Sequence, residues 1–154
     1  MEMKQYLEFC AMYAPIKSPA AFRLKYSRAF TIDPRTFVVG KAGKPQQCYM
    51  NAAKLALRRD DLIYVEGHVC IHGIPIEHAW NVRPDGTVVD VTLRGDVSRV
   101  SDYYGVPIST AYLNVYALHS KVWGVLCWQG EHAYLDADPN EVVAMEFLKL
   151  EEAA

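Results

Sequence analysis

A thiol, an imidazole and a carboxylate stand in that order at Cys48, His78 and Asp90. Together they could form an activated nucleophile: the imidazole takes the thiol proton, and the carboxylate fixes the imidazole tautomer and supports the imidazolium. The segment around Cys48 changes to strong helix formers, with NAAKLALRR following it, and predicts a helix over Gln46–Arg59. Pro45 sits where a first-turn proline would sit, and Arg58 and Arg59 suit the C-terminal end. Cys48 therefore falls in the first turn or immediately before it. There, unpaired N–H groups and the helix dipole lower a thiol pKa and can hold an oxyanion. Gln46 or Gln47 could add a side-chain amide to that oxyanion site.

The other two residues fall on the arms of a hairpin. Ile76–Arg83 and Thr87–Thr92 read as strands, and Pro84-Asp85-Gly86 between them has the chemistry of a three-residue turn. Such a loop pairs Arg83 with Thr87, so Trp80 faces Asp90 and His78 faces Thr92. His78 and Asp90 then share one face as diagonal neighbours, within reach of each other. A two-residue loop would place them on opposite faces.

Gln47-Cys48-Tyr49, His78-Ala79-Trp80 and Val89-Asp90-Val91-Thr92 resemble the transglutaminase-like branch of the papain-like cysteine enzymes, as a small bacterial or phage member. The resemblance covers about residues 45–93. It implies an α+β fold with the nucleophile helix packed on a small antiparallel sheet and helices flanking it. It also implies Cys48 as nucleophile, His78 as base and Asp90 as orienter. Gln46, Gln47 and Trp80 stand beside these as candidate oxyanion and substrate-positioning residues. The reaction class is attack on a protein or peptide amide and a thioacyl intermediate, followed by hydrolysis, deamidation or transamidation. Nothing resembles the calcium apparatus of animal transglutaminases, and no cofactor or metal is expected.

Two other readings stand beside this one. One is a non-catalytic protein that binds a host factor on the same scaffold. The other is a metal site, because His68, Cys70 and His72 alternate along the strand Leu62–Ile71 and could share a face. Glu66 and Glu77 read as solvated-face carboxylates, Trp80 as core or a lid over the His–Asp pair, and His119 and His132 as surface residues. Tyr103-Tyr104-Gly105-Val106-Pro107 is a candidate cleft lining.

The remaining elements must hold these residues in place. Met3, Tyr6, Leu7, Cys10 and Tyr13 recur at helical spacing and predict a helix over residues 2–13. Ala20–Arg28 predicts a second helix, Thr36–Val39 a short strand and Lys41–Pro45 a loop. Leu62–Ile71 alternates as a half-buried strand, with Gly73 and Pro75 breaking it. Thr110–Lys121 predicts a helix capped by Ser109, and Val122–Trp128 a strand. Asp138, Pro139 and Glu141 carry helix-start signals, and the apolar residues from Val142 to Leu148 continue them.

The chain's 154 residues suit one domain, 1–154, and exclude a barrel of eight βα units. Sixteen basic against 18 acidic residues, net charge −2, give none of the basic excess of a free-standing nucleic-acid binder. No apolar run is long enough for a membrane span, and MEMKQYLEFC has no leader-like apolar core. The four cysteines are irregularly spaced, which fits reduced thiols in a cytoplasm.

Overall fold

The computed structural model describes residues 2–35, 42–93, 97–127 and 131–149. The architecture is mixed α+β, built on an antiparallel five-stranded sheet. Helices α1 (Met3–Ala11) and α2 (Pro19–Tyr26) lead into β1 (Arg28–Phe30), and α3 (Cys48–Ala56) precedes the hairpin strands β2 (Ile63–Ile71) and β3 (Ile74–Val82). Then come β4 (Val88–Val89), β5 (Val100–Ile108), α4 (Thr110–Ser120) and α5 (Pro139–Val142). The strand order is β1-β5-β2-β3-β4.

The sheet curls until its two edges meet. Thr31, just past β1, bridges Thr87, just before β4; Thr31 N–H donates to Gly86 O and Val88 N–H to Thr31 O. Two apolar cores result. Inside the curl lie Phe30, Val65, Val69, Trp80, Val82, Val88, Tyr103 and Phe147. On the outer face Ala52, Ala53 and Ala56 of α3 pack with Tyr64, Ala79, Val106, Leu113 and Tyr116. The small alanines let α3 lie close to β3, and Asn81 reaches across to donate to Ala52 O at 2.9 Å.

The turn at residues 84–86 forms as its residue types predict. Gly86 has φ +83°, and its N–H donates to Arg83 O, while Arg83 N–H donates to Thr87 O. The register that follows pairs Asn81 with Val89 and Val82 with Val88.

Several local expectations are corrected. β2 ends at Ile71, as Gly73 leads one to expect, but Pro75 is no breaker. His72 (φ 50°) and Gly73 (φ 79°) make a tight turn, and Pro75 sits within β3 opposite Cys70. That position tolerates proline because β4 pairs only with Asn81 and Val82, leaving this stretch of β3 at the sheet edge.

β2 is not half-buried but central, with β3 and β5 on either side and both faces covered. Residues 122–127 form no strand, because the amides of Val125 and Leu126 donate to the Glu66 carboxylate instead of to a neighbouring strand. The helix begun by Asp138 and Pro139 ends after Val142, where Val143 bridges Ile108 and the Ala144 N–H donates to Pro107 O. The strand expected over Thr36–Val39, Lys41 and Trp128 lie outside the described residues.

Candidate active site

Cys48 is the first residue of α3, with Gln47 as N-cap. The expected helix start at Gln46 is displaced by two residues. Pro45 and Gln46 instead form a turn closed by Gln47 N–H donating to Lys44 O, with Gln46 at φ 60°. A non-glycine residue held in the left-handed region two residues before Cys48 is strained, and surrounding contacts must hold it there.

Those contacts centre on Asn51, one turn into α3. Its amide donates to Lys44 O (2.7 Å) and to Thr92 Oγ1 (2.9 Å), while its Oδ1 accepts from Lys44 N–H. Gly43 N–H donates to Val91 O. The loop before Cys48 is thereby tied to the segment that carries Asp90. Sequence reasoning missed Asn51; the one signal for it is a polar, weakly helix-forming residue within an alanine-rich helix.

His78 lies in β3, 5% exposed, and its Nε2 is 2.6 Å from Asp90 Oδ2. The ring's other nitrogen, Nδ1, is left to face Cys48, and each of the two groups shifts the pKa of the other. Asp90 follows the end of β4 and turns out of the ladder, because its Oδ1 accepts the N–H groups of Thr92 (2.8 Å) and Leu93 (2.9 Å). The expected strand to Thr92 thus ends at Val89. Tyr103 OH donates to Asp90 Oδ2 at 2.9 Å. Tyr103 is buried in β5, so it supports the carboxylate from beneath rather than lining a cleft.

The electrostatics follow from these contacts. Burial alone raises the Cys48 pKa, but the hydrogen bond and charge of His78 and the N–H groups of Ala79 and Tyr49 outweigh it, and the net shift is downward. Burial alone lowers the His78 pKa, but its bonds to Asp90 and Cys48 and their charges raise it to about 9. Burial likewise pushes Asp90 up; the bond and charge of His78 and the amides of Leu93 and Thr92 hold it below its ordinary value. Each shift favours thiolate beside imidazolium beside carboxylate.

The other proposed residues fall in two places. Gln46 and Gln47 are exposed beside Cys48, at the rim of a groove. Trp80 is 1% exposed, with its ring stacked 6.2 Å from His78 and edge-on to Tyr103 at 5.0 Å. It is neither a lid nor a substrate contact; it positions the His78 ring from the core side.

Among the described residues, no three His, Cys, Asp or Glu side chains come together to hold a metal. His68 and Cys70 are buried in β2, and His72 turns away into the hairpin loop. His119 is exposed as expected and His132 is half-buried. Glu77 is exposed and pairs with Arg23.

Glu66 is a clear correction. It is 1% exposed and accepts bonds from Tyr64 OH (2.8 Å), Leu126 N–H (2.8 Å) and Val125 N–H. Burial raises its pKa to about 6 against the pull of these donors and the Arg23 charge.

No helix among the described residues is long and apolar enough to cross a membrane. Compared with known proteins, the chain matches no family model, no curated protein and no solved structure.

Proposed function

We propose that the protein is a cysteine-dependent acyl-transfer enzyme using Cys48, His78 and Asp90, on a papain-like, transglutaminase-like arrangement. The observation that carries this reading is the buried His78–Asp90 pair, Nε2 to Oδ2 at 2.6 Å, together with Cys48 at the first position of α3, its thiol pKa drawn down by the His78 ring. The Cys48 thiolate attacks the carbonyl carbon of an amide, forming a C–S bond. The oxyanion lies at the N-terminus of α3, where backbone N–H groups point outward. His78 gives its proton to the nitrogen as the C–N bond breaks, and the amine leaves. Water or a second amine then attacks the thioacyl carbon, His78 takes its proton, and the C–S bond breaks to restore the thiolate. A protein or peptide amide is the substrate class that this chemistry and the sequence resemblance favour.

The test is the pH dependence of Cys48 alkylation, followed by intact mass. Wild-type Cys48 should react well below the ordinary thiol range, and the reaction should be lost in Cys48→Ala. In His78→Ala the profile should move up to that of an ordinary thiol. An ordinary profile in the wild type would remove the reading.

A further inference from the structure

We propose that the groove beside the first turn of α3 is the acyl-side subsite of the Cys48 centre, and that it takes an apolar or aromatic side chain carried on the acyl group. The inference rests on the acyl-transfer reading above. The groove has a volume of ≈ 320 Å³ and runs between the start of α3 and residues 121–124. Its walls are Tyr49, Met50, Val122 and Trp123, with Gln46 and Gln47 among the lining. Small-molecule sites span about 300–1,000 Å³, so this one suits a single large side chain rather than an extended ligand.

Direction follows from proton transfer. His78 must protonate the departing amine, so the leaving group has to lie over the imidazole. Among the described residues, the groove takes none of its lining from β3 or from the Asp90 segment. The part of the substrate that enters it is therefore the acyl part, which stays on Cys48 after the amine has gone.

Three features shape the preference. Gly124 lies in the lining, and a Cβ there would come within 3.1 Å of Tyr49 Cδ1, so a side chain would crowd this wall. The Lys54 ammonium sits 5.4 Å from the Trp123 ring centroid, which holds the indole in place. Lys121 also lines the groove and, among the described residues, no acidic one does, which disfavours a cationic side chain. The polar rim suits the amides that flank such a side chain in a peptide.

The experiment compares N-acetyl-phenylalanyl, N-acetyl-glycyl and N-acetyl-lysyl chloromethyl ketones, each alkylating Cys48 with loss of chloride. Iodoacetamide, which has no side chain to bind, is the reference for thiolate reactivity. Relative to iodoacetamide, the phenylalanyl reagent should outrun the glycyl one by about tenfold or more, the range that one apolar pocket supplies. Trp123→Ala and Met50→Ala should each remove most of that advantage and leave the iodoacetamide rate unchanged. Equal phenylalanyl and glycyl rates, a lysyl reagent faster than the phenylalanyl one, or an advantage that survives both substitutions would overturn the subsite. An ordinary-thiol pH profile with iodoacetamide would instead overturn the enzyme reading beneath it.

Discussion

The Asp90 carboxylate accepts four hydrogen bonds, from His78 and Tyr103 on one oxygen and from the Thr92 and Leu93 amides on the other. The backbone pair fixes where the carboxylate is; the side-chain pair decides how strongly it holds the His78 proton. Tyr103→Phe should leave Oδ2 to His78 alone, strengthen its pull, and move the alkaline limb of amide turnover, which needs the His78 proton, upward from about pH 9. Its stability cost should be about 1–2 kcal/mol by urea titration, the usual value of a lost buried hydrogen bond. A downward shift would refute this account of Tyr103.

The same residues set part of the pH dependence of folding. The folded pKa of His78 is raised above 6.5, so its contribution is fully present below that value and is lost as pH rises through about 9. The Asp90 contribution runs the other way: present above 3.8, it is lost as pH falls through the lowered folded value.

At the scale of elements, two side chains act as ties between distant segments. Asn51 joins the loop before Cys48 to Thr92, so Asn51→Ala should release the strained Gln46 turn. The expected loss is about 1–2 kcal/mol of stability, with a slower Cys48 alkylation measured under native conditions. Alkylation as fast as wild type would show that the loop holds itself.

Glu66 ties β2 to residues 125 and 126. Its folded pKa of about 6 lies above the ordinary 4.5, so the fold is favoured below pH 4.5 and loses that contribution as pH rises through 6. The loss is about 2 kcal/mol at 1.36 kcal/mol per unit. Glu66→Gln should abolish this step in stability against pH. It should also destabilise at neutral pH, because an amide group then faces two backbone donors with only one acceptor oxygen. A step that persists in the variant would assign it to another group.

A pair of glycines belongs to this scale too. Gly67 and Gly105 face each other across β2 and β5, and a Cβ on Gly105 would come 2.7 Å from Trp80 Cη2. The bare backbone of Gly105 makes room for Trp80 beside His78, and that of Gly67 lets β2 and β5 approach closely at this point.

Taken as a whole, the molecule draws its candidate site from a helix start, a central hairpin and the end of β4, and the curled sheet joins the last two. Site and fold should therefore be lost together. Trp fluorescence and protection of Cys48 from a bulky thiol reagent should give coincident urea midpoints. Protection that is lost at lower urea would mean that α3 detaches first.

This distribution also explains what was legible beforehand. The Pro84-Asp85-Gly86 turn is local chemistry, and its residue types set a register that carries over to Asn81 and Val89. The helix after Cys48 is legible for the same reason. Glu66 was not, because alternation with polar residues reads as a wet face, and what covers it comes from about 60 positions away. Residues 122–127 failed likewise: an apolar run looks like a strand until its amides are claimed by a distant carboxylate. The start of α3 was misplaced because Gln46 adopts a backbone conformation that its residue type does not announce.

The meeting of Thr31 with Thr87 has a further consequence. It turns the sheet into a hoop, and the turn at residues 84–86 is its clasp, since Gly86 O receives the Thr31 amide. The same five-residue stretch from Arg83 to Thr87 also sets where Asp90 arrives beside His78. One short piece of chain therefore fastens the hoop and aims the carboxylate. Loosening it, for instance by replacing Gly86 at φ +83° with a branched residue, would unfasten the interior and misdirect Asp90 in a single stroke.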